Sequence, residues 1–313
     1  ELQKTFDVIG FDPRGVGRST AVTCYDAKQM DSYLFDLVPA PRGSATWTSD
    51  LVASQKAFGA ACEQNSSGLL PYITTDQAAR DMDLLRGVLG DKKLNYLGYS
   101  YGTFLGATYA KLFPQNVGRM VLDGALDPSV SGLDVSTTQA IGFQSALRAY
   151  MTNCLAGSSC PFTGTVDQAL ASLGDLLAQV DKTPITNADG RKLGADSLVT
   201  GIVAALYSKD SWPVLSSALA AVKSGSAAQA FRLVDFYYNR SSNGVYQDNS
   251  TEAFEAYNCM DYPQVTSQAL KDASKAEIAA KAPTIAPYWS GPDPCAVWPI
   301  TATGVREKIS APG

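Results

Sequence analysis

The chain has 313 residues, 45% of them hydrophobic, enough to bury a large core, and its 25 basic against 30 acidic residues leave a net charge of −5. Lys and Arg are scattered, so there is no electrostatic footprint for nucleic acid or an anionic membrane, and no apolar run approaches the roughly 20 residues that span a bilayer. The composition therefore argues for a globular protein with neither a nucleic-acid partner nor membrane insertion.

In chain order, TFDVIGFD at 5–12 is rich in β-formers and stops at Asp-Pro-Arg-Gly, which predicts a buried strand ended by a turn. A strand so near the start of a chain that opens on Glu1 leads us to expect that a leader and some structured sequence precede it. Ala78, Met82, Leu85 and Leu89 fall at helical spacing, with Thr74 or Thr75 as cap and Gly90 as stop. A second short apolar run, LNYLGY at 94–99, is followed by a helix from 102 to 113 that ends at Pro114, and RMVLDG at 119–124 predicts a third strand. This alternation with short connections implies a mostly parallel sheet flanked by helices, the α/β class.

After Asp127-Pro128 the texture turns Ala- and Ser-rich, with helices expected near 138–153, 165–180, 195–206, 212–223, 226–238 and 266–281. We read 1–127 as an α/β core, 128–299 as a large inserted helical cap, and 300–313 as the start of a return to the core. Cys24, Cys62, Cys154, Cys160, Cys259 and Cys295 form an even set without CxxC spacing, and the chain holds no histidine. A zinc site is thus not expected, nor any metal or cofactor. Three disulfides in an exported protein are expected instead. Pairing in sequence order is the simplest arrangement, since Cys154 and Cys160 bracket a small-residue loop, but sequence leaves the connectivity open.

Gly98-Tyr99-Ser100-Tyr101-Gly102 matches GxSxG between an apolar strand and a helix. So tight a turn demands small residues two before and two after the serine, and holds the serine itself in a strained conformation. Its hydroxyl then projects beyond the carboxyl end of the sheet, and the Tyr101 backbone N–H faces a developing oxyanion. Ser100 is the expected nucleophile. Gly15 and Gly17 in DPRGVGRS lack the further spacing of a phosphate-binding loop.

FDPRGVGRS at 11–19, LGYSYG at 97–102, VGRMVLDGALDP at 117–128 and DPCAVWP at 293–299 together resemble the α/β-hydrolase fold, and within it the exported tripeptidyl and prolyl aminopeptidases of actinobacteria. That resemblance implies a secreted or envelope-associated Ser-His-Asp exopeptidase acting on peptides with a free N terminus, its cap helping to recognise the amine. The alternatives are an esterase or lipase of the same fold and a catalytically inactive, hydrolase-like binding protein.

One feature departs from that pattern. A serine hydroxyl needs a positioned base, yet there is no histidine in the 313 residues. The family places its acid and histidine after the cap, and an oxyanion loop before the first strand seen here. We therefore expect that a segment outside this sequence, or a second chain, carries the triad Asp and His. Lys92 and Lys93 fall at the far end of the elbow strand, and Asp123, which ends the next strand near Ser100, is expected to brace the loop.

For the substrate amine, Glu252, Glu255 and Asp261 concentrate acids around Cys259, and Glu255 and Asp261 are the expected substrate-binding carboxylates. The aromatic residues of the cap are expected to be mostly core.

Overall fold

The computed structural model describes residues 2–310, so the last three residues of the 300–313 segment lie outside the described part. The chain runs α1 (Ala27–Phe35), α2 (Ala45–Asn65), α3 (Thr75–Val88), β1 (Leu94–Tyr99), α4 (Tyr101–Leu112) and β2 (Val117–Asp123). It continues through α5 (Gly132–Ala156), α6 (Val166–Lys182), the two-residue strands β3 (Ile185–Thr186) and β4 (Lys192–Leu193), α7 (Ala195–Leu206), α8 (Trp212–Lys223), α9 (Ala228–Tyr237), α10 (Ser250–Asp261), α11 (Gln268–Lys281) and α12 (Ala286–Trp289).

Local chemistry sets most of these boundaries. Asp26 with Gln29, Ser131 with Asp134 and Thr165 with Gln168 form reciprocal capping boxes at the starts of α1, α5 and α6. Thr74 caps α3 by accepting from the Gln77 amide at 3.3 Å.

β1 and β2 pair in parallel, with Tyr96 opposite Met120 and Tyr99 opposite Asp123. Leu94 and Tyr96 of β1 and Val117 and Met120 of β2 face inward, against a core built by α3, α4 and the Cys24–Cys62 region. The opposite face is open: Leu97, Tyr99 and Val121 are 40%, 62% and 57% exposed. Parallel sheets are ordinarily covered on both sides, so this face is an exposed apolar surface.

The expected strand at 5–12 is corrected by the structure. Thr5 to Asp12 forms no ladder with any described residue, and Val8 and Ile9 are 59% and 53% exposed. β-propensity describes a side chain that suits a pleated, half-buried surface, and here no neighbouring strand supplies one. The following DPRGVGRS segment is ordered: the Asp12 carboxylate accepts from the Arg18 amide at 2.8 Å, and its carbonyl accepts from the Ser19 hydroxyl at 2.6 Å.

The remaining apolar side chains form a second cluster centred on α5 to α9, α11 and α12, with Leu147, Leu173, Leu177 and Phe231 essentially solvent-free. The two clusters exchange elements. Phe35 of α1 belongs to the second, whereas Ala256 and Tyr257 of α10 belong to the first. Disulfides join Cys24 to Cys62, Cys154 to Cys160 and Cys259 to Cys295. The last ties α10 to the DPCAVWP segment, whose Pro299 and Trp298 pack on Gly59 of α2.

Candidate active site

Ser100 is exposed, at the junction of β1 and α4, with φ +50° and ψ −116°. A non-glycine residue in the left-handed half of backbone space costs on the order of 1–3 kcal/mol and persists only where its surroundings over-determine it. Here they do. The Ser100 amide donates to the Asp123 carbonyl at 3.1 Å, and the Ser100 carbonyl accepts from the Thr103 amide at 2.9 Å and the Thr103 hydroxyl at 2.6 Å. The same Thr103 oxygen accepts from the Leu126 amide at 2.9 Å, which ties the loop after β2 to the elbow.

The two elbow glycines are not equivalent. A Cβ on Gly98 would lie 2.5 Å from the Gly102 carbonyl oxygen and 2.6 Å from the Tyr96 ring, whereas one on Gly102 would meet only the Tyr96 hydroxyl at 3.1 Å. That hydroxyl donates to the Gly102 carbonyl at 2.8 Å. A third glycine, Gly106, lets α4 approach the strands, its Cβ direction blocked at 2.7 Å by Leu122 and Tyr96. Tyr101 is the first residue of α4, so its amide has no partner within the helix.

Asp123 ends β2 beside the elbow, and its carbonyl, paired with the Ser100 amide, braces that turn. Lys92 and Lys93 lie exposed before β1, at the end of the strand away from Ser100.

The acids of α10 separate onto different faces. Asp261, 4% exposed, accepts at Oδ1 from the Thr75 amide at 2.9 Å and at Oδ2 from the Thr75 hydroxyl at 2.6 Å. Burial pushes its carboxyl up to about 6, against the lowering effect of those bonds and of the nearby Arg306 charge. Glu255 lies instead beside the Cys259–Cys295 disulfide, where burial, assisted by Asp293, raises its carboxyl to about 7. Glu252, 9% exposed, is raised to about 7 by burial and then by Asp248. Among the described residues no cation pairs with Glu252 or Glu255. The same disulfide removes both thiols that would make Glu255, Cys259 and Cys295 a metal-binding trio.

These raised values have a signed consequence. Between the unfolded carboxyl range and about pH 7 the folded protein binds more protons at Glu252 and Glu255 than the unfolded chain does. Their contribution to stability is thus full below the unfolded value and lost as pH rises through about 7. The loss amounts to at most roughly 3 kcal/mol per group. Urea midpoints at pH 5 and pH 8 are expected to show the wild type more stable at pH 5, and Glu252→Gln to narrow the gap; an unchanged gap would remove Glu252 as a cause.

Two residues complete the constellation through partners far off in sequence. Asn249 accepts from the Gly17 amide at 2.9 Å and donates to the Gly15 and Val22 carbonyls at 2.8 and 2.9 Å, clamping the DPRGVGRS turn. Thr75 bridges Asp261 to the Tyr101 hydroxyl, 2.7 Å away. Nothing local marks these contacts, because the partners lie far off in sequence.

Residues 1–256 match the family model described as the alpha/beta hydrolase fold. The chain belongs to the α/β-hydrolase family. All of this α/β-hydrolase chain aligns, at 34% identity over 330 residues, with 62% of the serine protease Hip1 of Mycobacterium tuberculosis. It is similarly 35% identical over 320 residues to 61% of carboxylesterase B of that organism. With the tripeptidyl aminopeptidase of Streptomyces lividans it shares 29% identity, over 95% of this chain and 55% of that protein. The hydrolase chain thus spans about three fifths of the length of the curated relatives it matches. Among its described residues no helix is long and apolar enough to cross a membrane.

Proposed function

We propose that this chain carries the nucleophile of a serine hydrolase that cleaves short peptides from free N termini. The observation that carries the reading is Ser100, exposed and held at φ +50° between a parallel strand and a helix N-terminus. In this mechanism the Ser100 hydroxyl attacks the scissile carbonyl and the Tyr101 amide donates to the oxyanion. The peptide amine departs with a proton, and water then hydrolyses the acyl-enzyme. The base that takes and returns the proton is a histidine oriented by an aspartate, both supplied from outside these 313 residues, which contain no histidine. Three disulfides and similarity to a tripeptidyl aminopeptidase favour an exported, extracellular enzyme.

The amine is assigned to the helical region. Glu255 offers a half-buried carboxylate with no cation among the described residues, which an incoming ammonium would pair with and ionise, while Asp261 already accepts twice from Thr75. The test uses the full-length protein with a tripeptidyl p-nitroanilide, free or acetylated at its N terminus. The free peptide is expected to give the higher kcat/KM by about 10-fold or more, and Glu255→Gln to abolish that preference, as loss of one charge-assisted bond would do. Equal rates on free and blocked peptides, with faster turnover of simple esters, would instead support the esterase reading that the likeness to carboxylesterase B favours.

A further inference from the structure

Most restraints on the elbow come from its own strands and helix, through Asp123, Thr103 and Tyr96. Tyr101 is restrained differently. Its hydroxyl meets Thr75 Oγ1 at 2.7 Å, and the Thr75 hydroxyl is 2.6 Å from Asp261 Oδ2. An ionised carboxylate only accepts, so the Thr75 hydrogen is committed to Asp261, and Tyr101 must donate to Thr75. The Tyr101 ring is held from the same direction by Tyr257, 5.5 Å away, and by Phe104 of its own helix at 6.5 Å. Tyr257 and Asp261 lie one helical turn apart on a single face of α10.

The position of α10 is in turn fixed by the segment that follows the helices. The Met260 carbonyl accepts from the Thr303 and Gly304 amides at 3.1 and 2.8 Å, and a Cβ on Gly304 would lie 2.4 Å from the Asp261 Cα. The Arg306 guanidinium is stacked 4.0 Å from both the Phe104 and the Tyr262 ring centroids.

We propose that Asp261, acting through Thr75 and the Tyr101 side chain, is a positioning residue that sets the oxyanion-binding amide beside Ser100, so that α10 and the elbow move as one unit. The inference rests on Ser100 being the nucleophile. Its physical basis is that the ring and the amide of Tyr101 share one Cα at the first position of α4. Fixing the ring by two aromatic contacts and a hydrogen bond ending in a charge therefore fixes the peptide plane that must meet the oxyanion. A purely structural role, with Asp261 merely stabilising the N-terminus of α3, would alter melting without selectively altering turnover.

The experiment compares Thr75→Val, which keeps the branched shape and deletes the hydroxyl, with Thr75→Ser, which restores it, and with Tyr101→Phe, which keeps the ring. All are made in the full-length protein. Thr75→Val and Tyr101→Phe are expected to lower kcat on the p-nitroanilide by about 30-fold with KM changed less than about twofold, and to slow fluorophosphonate labelling of Ser100 in parallel. Thr75→Ser is expected to stay within about threefold of the wild type. Wild-type kcat in Tyr101→Phe, or a Thr75→Ser as slow as Thr75→Val, overturns the proposal. Should Thr75→Val fail to fold, Tyr101→Phe alone decides. Absence of labelling at Ser100 in the wild type is a different outcome, which removes the nucleophile assignment and this inference with it.

Discussion

Replacing Ser100 with Ala in the full-length protein is expected to lower hydrolysis by about 10⁴-fold or more and to abolish fluorophosphonate labelling, while leaving the thermal midpoint unchanged or raised. The large kinetic effect follows because nucleophile and base act as a unit, and losing the hydroxyl leaves only binding and oxyanion stabilisation. The effect on stability follows from the backbone: Ser100 has φ +50°, its side chain makes no capping bond, and the hydrogen bonds that define the turn use its amide and carbonyl. Alanine preserves those bonds. Intact-protein mass spectrometry after probe exposure, with the adduct mapped to a peptide, measures the outcome. An adduct retained in Ser100→Ala would place the nucleophile elsewhere.

Gly98→Ala is expected to be the most damaging single-methyl change in the elbow. The added carbon would sit 2.5 Å from the Gly102 carbonyl oxygen and 2.7 Å from its carbon, both backbone atoms at the start of α4, so relief requires moving the helix that carries Tyr101. Overpacking of this kind costs about 1–3 kcal/mol, and displacing the helix start by even about 1 Å costs on the order of 100-fold in rate. Gly102→Ala should be far milder, since its Cβ would meet only a side-chain hydroxyl at 3.1 Å. Gly87→Ala, in α3 with nothing within 4 Å, serves as the control and should be neutral or stabilising by up to about 1 kcal/mol. Thermal melts and kcat/KM on the four proteins test the order. Equal effects at Gly98 and Gly102 would show that flexibility of the motif, rather than the close contact at Gly98, governs the site.

The helical carboxylates illustrate how far residue type carries and where it stops. Acids clustered around Cys259 are visible as a pattern, and residue type alone makes them candidates for pairing with an ammonium ion. Their spacing on α10 nevertheless divides them: Asp261 shares the face of Tyr257 toward Thr75 and the elbow, while Glu255 shares the face of Cys259 toward the disulfide. Which face meets which neighbour depends on how α10 is docked, a property of the packed chain alone. The aromatic-rich helical region divides in a similar way. Phe231 and Trp212 are core, whereas Phe236 is 77% and Phe254 68% exposed.

What the sequence by itself determined is the part governed by neighbours along the chain. The elbow follows from glycines two before and two after a serine, between an apolar run and a helical one. The cap at Thr74 and the stop at Pro114 act within one helical turn, so they are read directly from residue order. The tertiary structure decided everything that depends on partners distant in sequence. TFDVIGFD has strand composition but finds no ladder among the described residues, because a strand exists only where another strand takes up its backbone groups. Helix α2 escapes periodicity analysis because only Phe58, Gly59 and Cys62 of its 21 residues are buried, and they are buried by segments from elsewhere in the chain, including Pro299. Asn249 reaches Gly15 across 234 positions, and Asp261 reaches Thr75 across 186. Such hydrogen bonds leave no periodic or compositional trace, since their strength comes from burial and geometry that exist only once the two clusters have packed.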